Sequence, residues 1–521
     1  MLKRSLFILL SFIVSLSLAQ DPKMGGILTW GLSTDPPNLD PHVSSGASAA
    51  TVKMSVYNGL VRYDKDGQIV PDLATDWQIS EDGLTYTFNL RDGVMFHDGT
   101  PLSSADVKFS LERIINPDTG AYLASAFGVI ESIDTPDDLT VVLHLSEPHA
   151  ALLPYLARQE AEVVSKAFVE GGGDLNLEMM GTGPFMFVSR EPDVSIKLEK
   201  NPNYYETGKP YLDGITFIPY ADEQTRVTAL EAGDIDLIEY VPWKDMEAIE
   251  QNPDLELHAD EGAAFMTLIF NQERKPFDDP LVRKAFGYAI PRDAIIRVAF
   301  FDRGSPITGG LIPPNSPYHN DELDGTYSYD PEKALSILAE AGWTDSDGDG
   351  ILDKDGETLS VSLLSTSTYG MHMQTAQVVD QALREIGVDI TLELEEWSVV
   401  VARQTESDFD FRVHGLGVLV EDPDFLAGYF MPDAFYAKIS HMSDEMYGEP
   451  LTVGRTSTSE EERKAAYLEF EKAFLDQAPW VHLTWRTQGE ATQSYVKGYS
   501  HLPGPLWGHS AYTLKETWLD K

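Results

Sequence analysis

The segment Thr344–Glu357, TDSDGDGILDKDGE, sets carboxylates at Asp345, Asp347, Asp349, Asp353 and Asp355 among Gly348, Gly350 and Gly356. Acidic side chains two apart, a glycine for the sharp turn at Gly350 and a main-chain carbonyl at Ile351 fit a calcium loop, with Asp353 as its next ligand. Hard oxygen donors in this spacing favour Ca²⁺ over zinc or copper. The last liganding place of an EF-hand loop falls on Gly356, so Asp355 or Glu357 would have to supply the closing carboxylate. The alternative is a solvated acidic turn. If the loop holds metal, it is expected to be a structural Ca²⁺ of the weak extracellular kind, with Kd about 10⁻⁴ to 10⁻³ M. Such an ion would fasten the chain and would not be the function.

Other chemistry is thinly represented. There is no His-Glu-x-x-His, no Gly-x-Ser-x-Gly and no phosphate loop ending in Gly-Lys-Ser/Thr. The Ser494-x-x-Lys497 pair lacks the partner motifs that make such a pair nucleophilic, and the histidines are scattered. No enzymatic activity is expected. An exported hydrolase and a calcium-dependent adhesion module remain the alternatives from other classes.

The chain that must position these residues opens MLKRSLFILLSFIVSLSLAQ. A basic start, an apolar run and the small-residue site Ser17-Leu18-Ala19 make residues 1–20 a signal peptide, and hence an exported, periplasmic, soluble protein. The absence of cysteine excludes disulfides and also a lipid-modified cysteine, so no lipoprotein is expected. A net charge of −46 argues against nucleic acid or anionic lipid as partners. With 42% hydrophobic and 10% aromatic residues the chain is folded rather than disordered.

Hydrophobic periodicity predicts an α/β protein. GGILTWGL, LTYTFNL, TVVLHL, VDITLEL and WVHLTW read as strands; SSADVKFSLERII, PLVRKAFGYAI, PEKALSILAEAGW and ERKAAYLEFEKAFLDQA read as helices. Asp-Gly pairs at Asp66, Asp82, Asp92 and Asp98 signal tight turns. Trp30, Trp77 and Trp343 lie inside strand or helix-end patterns and are expected to pack. No linker separates sequential domains, which favours lobes that the chain crosses more than once.

Several segments together resemble the peptide/nickel-type extracellular solute-binding proteins of family 5, the receptors of ABC importers. They include YNGLVRYDKDGQIVPDLATDWQISEDGLTYTFNLRDGVMFHDGTPLSSADVKFSLERI, MGTGPFMF, NPNYYETGKPYLDGITF, ALEAGDIDL, NQERKPFDDPLVRKAFGYAIPRDAII, YDPEKALSILAEAGW and VKGY, in that order. The resemblance implies a two-lobed periplasmic-binding-protein fold of type II, the large form with an extra subdomain, closing on ligand by a hinge. Lobe 1 would comprise residues 21–270 plus 488–521, with the extra subdomain at about 60–180, and lobe 2 residues 271–487. The implied partners are a small-molecule ligand and an inner-membrane ABC permease, and the implied state is a monomer.

In the peptide-binding branch of that family an Asp precedes the Pro of an acidic-Pro pair by four residues, and a Trp precedes that Asp by three. In HGLGVLVEDPDF these places hold Leu419 and Leu416, so the amine anchor is missing. Glu421 or Asp422 could replace it from a shifted position. TSTYGMHM, residues 366–373, lacks the carboxylate-pairing Arg that dipeptide binders can carry there. Trp397 falls at a place similar to a cleft aromatic of the family, and Trp485 with Arg486 is a second candidate; either Trp could instead pack in the lobe. From lobe 1, Ser33, Thr34, Asp35, Tyr57 and Asn58 are further candidates. On these residues an oligosaccharide or other uncharged polar solute ranks ahead of a di- or oligopeptide.

Overall fold

The computed structural model describes residues 21–43, 46–418, 420–442, 447–502 and 504–521. The expected signal peptide, residues 1–20, and Leu419 lie outside the described residues. The fold is α/β and is organised around one 11-stranded sheet. Its order is Asp389–Glu395, Ser360–Thr366, Phe411–Gly417, Leu255–Phe270, Trp480–Gln493, Leu237–Ile238, Ile27–Leu32, Gly214–Pro219, Ser195–Lys200 and Phe185–Glu191. Gly304–Pro306 pairs with Trp480–Gln493 off this path.

Each end of the sheet has its own reason to form. Ile27–Leu32 runs parallel to Gly214–Pro219 and to Leu237–Ile238. Its Leu28, Trp30 and Leu32 are fully buried, packed in one cluster with Tyr57, Phe185 and Phe217. At the other end Ser360–Thr366 lies parallel to Asp389–Glu395. Parallel neighbours need a crossover, which the helix Gly370–Glu385 supplies; its buried Ala376, Val379 and Leu383 recur at helical spacing. Phe270, Phe277, Phe286 and Phe411 fill this second core with ring centroids 4.9–6.1 Å apart.

A separate four-stranded antiparallel sheet takes the order Ala74–Ile79, Thr85–Leu90, Thr140–Leu145, Ile130–Asp137. The helix Ser104–Ile115 shares its core through Val107, Leu111 and Ile114. That helix starts where the sequence predicted, since the Ser103 amide donates to Asp106 at 3.0 Å. The glycines of the four Asp-Gly pairs all sit at positive φ, between 70° and 83°, as tight turns require.

Two long strands, Leu255–Phe270 and Trp480–Gln493, run antiparallel through the middle of the main sheet and belong to both lobes. Asp260 pairs with Gln488 and Ala264 with Arg486, so residues 261–263 stand opposite Thr487 alone. An irregularity of this kind bends the strand that carries it and increases its twist. WVHLTW predicted only the first part of the second strand. The strand continues to Gln493 with every residue buried, and burial on both faces removes the apolar–polar alternation that would have marked its second half.

Candidate ligand cleft

Two cavities meet at that bend, of about 600 Å³ and about 710 Å³, both within the range of small-molecule sites. They share Tyr240, Arg486 and Gln488 as a common wall. The first chamber is closed by Tyr122, Arg158 and Glu160 on one side and by Leu416, Tyr429 and Tyr436 on the other. The second is lined by Ser33, Arg226 and Trp243 facing Phe301, Tyr369 and Met371. The facing sides also touch directly. Tyr155 donates its hydroxyl to Asp424 at 3.1 Å, Arg455 pairs with the same carboxylate at 2.8 Å, and the Ala150 amide reaches the Arg455 carbonyl at 2.8 Å. Behind the bend His501 lies 2.9 Å from Glu490 and 3.4 Å from Asp260, tying the two long strands together.

Arg486 is the charged group lining this cleft whose bonding is incomplete. Its residue is 9% exposed. Its donors meet the Met371 sulfur at 3.0 Å and the Leu416 carbonyl only at 3.5 Å, and Nε has no partner. Two other buried arginines show what a structural guanidinium does in this protein. Arg283 donates four bonds of 2.5–3.2 Å to the carbonyls of Phe277, Gln477 and Ala478. Arg292 donates five of 2.8–3.4 Å to those of Gly287, Ile290, Tyr327 and His482. No ion pair forms at Arg486 among the described residues. Burial brings its pKa down to about 10, partly countered by Tyr240, so it stays a cation at neutral pH.

A second uncompensated cation deepens the positive field. Arg412, fully buried, donates to Gln404 and meets His414 Nδ1 at 2.6 Å, while its Nε has no partner. His414 is capped by the Tyr436 hydroxyl at 2.9 Å and lies parallel to Trp397, centroids 5.9 Å apart. His372 is driven down to about 3 by burial and then by Arg486 and Arg412; His414 is lowered for the same reasons. Both imidazoles are neutral at pH 7. The acidic member of the first chamber, Glu160, is held by Arg158 in a two-pronged pair at 2.8 and 2.9 Å.

The candidates named from sequence separate cleanly. Ser33 lines the second chamber and donates its hydroxyl to Glu239 at 2.7 Å. Thr34 is exposed and lines neither chamber, and Asp35 is spent on Arg190 at 2.6 Å. Tyr57 is fully buried in a lobe core, accepting from the Met180 amide at 3.3 Å. Asn58 bridges Asp72 and Thr182 at 3.0 and 3.1 Å. Trp397 stands behind the chamber wall, edge-on to Tyr369 at 5.4 Å. Trp485 is buried against Phe265 at 5.7 Å, and its neighbour Arg486 faces the opposite way into both chambers. Glu421 and Asp422 line a separate, smaller cavity, and Asp422 is spent on Arg463 at 2.6 Å. Leu416 lines the first chamber. Tyr240, Arg158, Tyr429 and Gln488 were not singled out from sequence. Tyr240 carried no local signal, because its left-handed backbone, φ 50°, is visible only in the fold.

The acidic loop lies apart from the cleft. Asp345, Asp347 and Asp349 bring carboxylate oxygens within 4.8 Å of one another on an exposed surface. Asp345 accepts from the amides of Gly348 and Gly350 at 2.7 and 3.1 Å, and Asp353 accepts from Ser346 at 2.7–2.9 Å. Ile351 is half-buried; its amide donates to Asp349 at 2.8 Å. Asp355, at φ 55°, forms the turn of the following hairpin with Gly356. Lys497 of the Ser494-x-x-Lys497 pair is bound to Glu256 at 2.9 Å.

Two lobes joined by continuous strands, with a cleft opening at the bend between them, define a protein that encloses a solute. Residues 68–436 match the sequence profile of the bacterial extracellular solute-binding proteins, family 5 Middle, and the chain belongs to that family. It is 29% identical over 491 residues to the glutathione-binding protein GsiB of Pectobacterium atrosepticum, covering 92% of each chain. Among solved structures it is similar to AgaA of A. tumefaciens R10 in complex with agropinic acid. That match has a TM-score of 0.81 and 36% identity and covers 95% of this chain and 99% of the other. It also resembles DppA of Helicobacter pylori in complex with the peptide STSA, with TM-score 0.79, 26% identity and coverage of 96% and 99%. Among the described residues no helix is long and apolar enough to cross a membrane.

Proposed function

We propose that this protein is the periplasmic receptor of an ABC importer and that its solute is a small molecule bound through a carboxylate on Arg486. The carrying observation is that guanidinium: buried in the cleft wall, short of acceptors and without a counter-charge. A buried cation of this kind is costly until an anion arrives, and a carboxylate matches its planar fork. The solutes in the names of GsiB and the AgaA complex, glutathione and agropinic acid, both carry a carboxylate, and glutathione carries an ammonium as well. The unpaired guanidinium favours such an acid over the uncharged oligosaccharide that ranked first from sequence.

A zwitterionic peptide, the alternative, needs an acid for its ammonium. In the first chamber the acid, Glu160, is already occupied by Arg158, and Asp422 by Arg463, so the ammonium would fall to Asp222 or Glu223 in the second chamber. We place the hinge at residues 260–264 and 486–488, so that an anion on Arg486 binds where the lobes bend.

Isothermal titration with glutathione, agropinic acid and a neutral oligosaccharide, on wild type and Arg486→Met, tests this. Saturable 1:1 binding of an acid without its consumption is expected. Arg486→Met should weaken that binding by about 100-fold or more and leave the unliganded melting temperature unchanged or higher, since a buried unpaired charge is removed. Binding of the oligosaccharide that is indifferent to Arg486→Met, or turnover of any of these solutes, would overturn the proposal.

The acidic loop is a separate matter. We propose that Asp345, Asp347 and Asp349, with the Ile351 carbonyl, hold a structural Ca²⁺. The alternate spacing of hard oxygen donors supports this.

A further inference from the structure

The second chamber contains side chains that a carboxylate alone does not use. Tyr240, Phe301 and Tyr369 all line it, and all three are large aromatic residues left 38–50% exposed. They come from both sides of the cleft. Tyr240 follows the short strand Leu237–Ile238, Phe301 ends the helix Arg292–Phe300, and Tyr369 precedes the helix Gly370–Glu385.

Two of the three are held at a conformational cost. Tyr240 has φ 50°, and Phe301 has φ 51° and ψ 45°, the left-handed region that side chains with a bulky Cβ substituent avoid. A helix ending in that conformation ordinarily takes glycine. Phe301 makes no ring contact among the described residues and belongs to none of the apolar clusters. Its ring is thus placed by a left-handed backbone and left half exposed, with no aromatic partner among the described residues. Strain of this kind marks places where the surroundings fix a side chain for a ligand.

The chamber is continuous with the anion site, because Arg486, Gln488 and Tyr240 line both cavities. Met371, whose sulfur meets Arg486 at 3.0 Å, also lines the second. A solute whose carboxylate sits on Arg486 can thus send the rest of its length between these rings.

We infer that the solute is bipartite: a carboxylate on Arg486 joined to an apolar, ring-bearing arm that packs against Tyr240, Phe301 and Tyr369 in the second chamber. This rests on the carboxylate reading above and narrows the substrate class within it. Tyr240 and Phe301 stand on opposite sides of the cleft, so the arm would be gripped as the lobes close.

A matched pair of probes separates the two claims. N-acetylglycine and hippurate (N-benzoylglycine) carry the same carboxylate and no free ammonium, and differ in the ring. By calorimetric titration hippurate should bind about tenfold more tightly. Phe301→Ala should remove most of that advantage and leave N-acetylglycine unchanged, with Phe301→Tyr restoring it. Phe301→Gly should remove it too while raising the melting temperature, because glycine relieves the left-handed strain. That rise distinguishes lost ring contact from damaged folding. Equal affinity for the two probes, or a Phe301→Ala effect equal on both, would overturn the ring-bearing arm and leave the carboxylate reading standing. Failure of both probes to bind, or binding insensitive to Arg486→Met, would overturn both.

Discussion

Glu471 illustrates how one side chain can set the acid response of a lobe. It is buried, accepting from the Ile312 amide at 3.2 Å and from Asn320 at 3.1 Å. Burial raises its pKa to about 7, against the opposing pull of these two donors. An acid whose folded pKa lies above its unfolded value stabilises fully below the unfolded value, near 4.5, and loses that contribution as pH rises through 7. Melting temperature should therefore decline from pH 4.5 to 7, and Glu471→Gln should flatten the decline. Glu421 is raised to about 7 as well, by burial and then by Asp260 and Asp422, so a residual slope in Glu471→Gln is expected and should shrink further in the double variant with Glu421→Gln. Buried Glu162, Glu239 and Asp422, also raised, keep part of it. An unchanged slope in that double variant would refute the assignment. At this scale the sequence was uneven. Arg486 was named only beside Trp485, yet neighbours in a strand take opposite faces, and the structure turns Trp485 inward and Arg486 to the cleft. Which face met the cleft could not be read, and Tyr240 and Arg158, far away in the chain, reach it only through the fold.

At the scale of elements, local pattern and structure agree where one face is wet. Thr140–Leu145 is the strand its alternation predicts, with Val141, Leu143 and Leu145 inward. Agreement fades in Trp480–Gln493, where a fully buried strand carries Thr484, Arg486, Gln488 and Glu490 for reasons that lie in its neighbours. The acidic loop is the element whose chemistry was most legible and whose role is least coupled to the cleft. It is anchored through the Leu352 amide to the Gly387 carbonyl at 2.8 Å, just beyond the helix Gly370–Glu385. Adding millimolar Ca²⁺ should raise the melting temperature, chelation should reverse the rise, and solute affinity should stay within about twofold. Asp347→Asn should abolish the response. A melting temperature indifferent to Ca²⁺ would leave a solvated turn.

For the whole molecule, collinear motifs made the family and the two-lobed α/β fold legible, since they span nearly the entire chain. The ligand was not, because specificity resides in a few side chains brought together by the bend. Closure is the expected global response: the radius of gyration in small-angle scattering should fall on adding the solute that binds Arg486, and should not change in Arg486→Met. A fall in both would detach closure from the anion site.

The main sheet has a further consequence. Because Leu255–Phe270 and Trp480–Gln493 are hydrogen-bonded to neighbours at both ends, neither lobe can melt without removing a paired edge from the other. Chains with two cores often unravel in stages; here the shared strands tie the two into one cooperative unit. The same strands that permit the lobes to swing thus oblige them to fold and denature together, and their amide protons belong among the slowest to exchange with solvent.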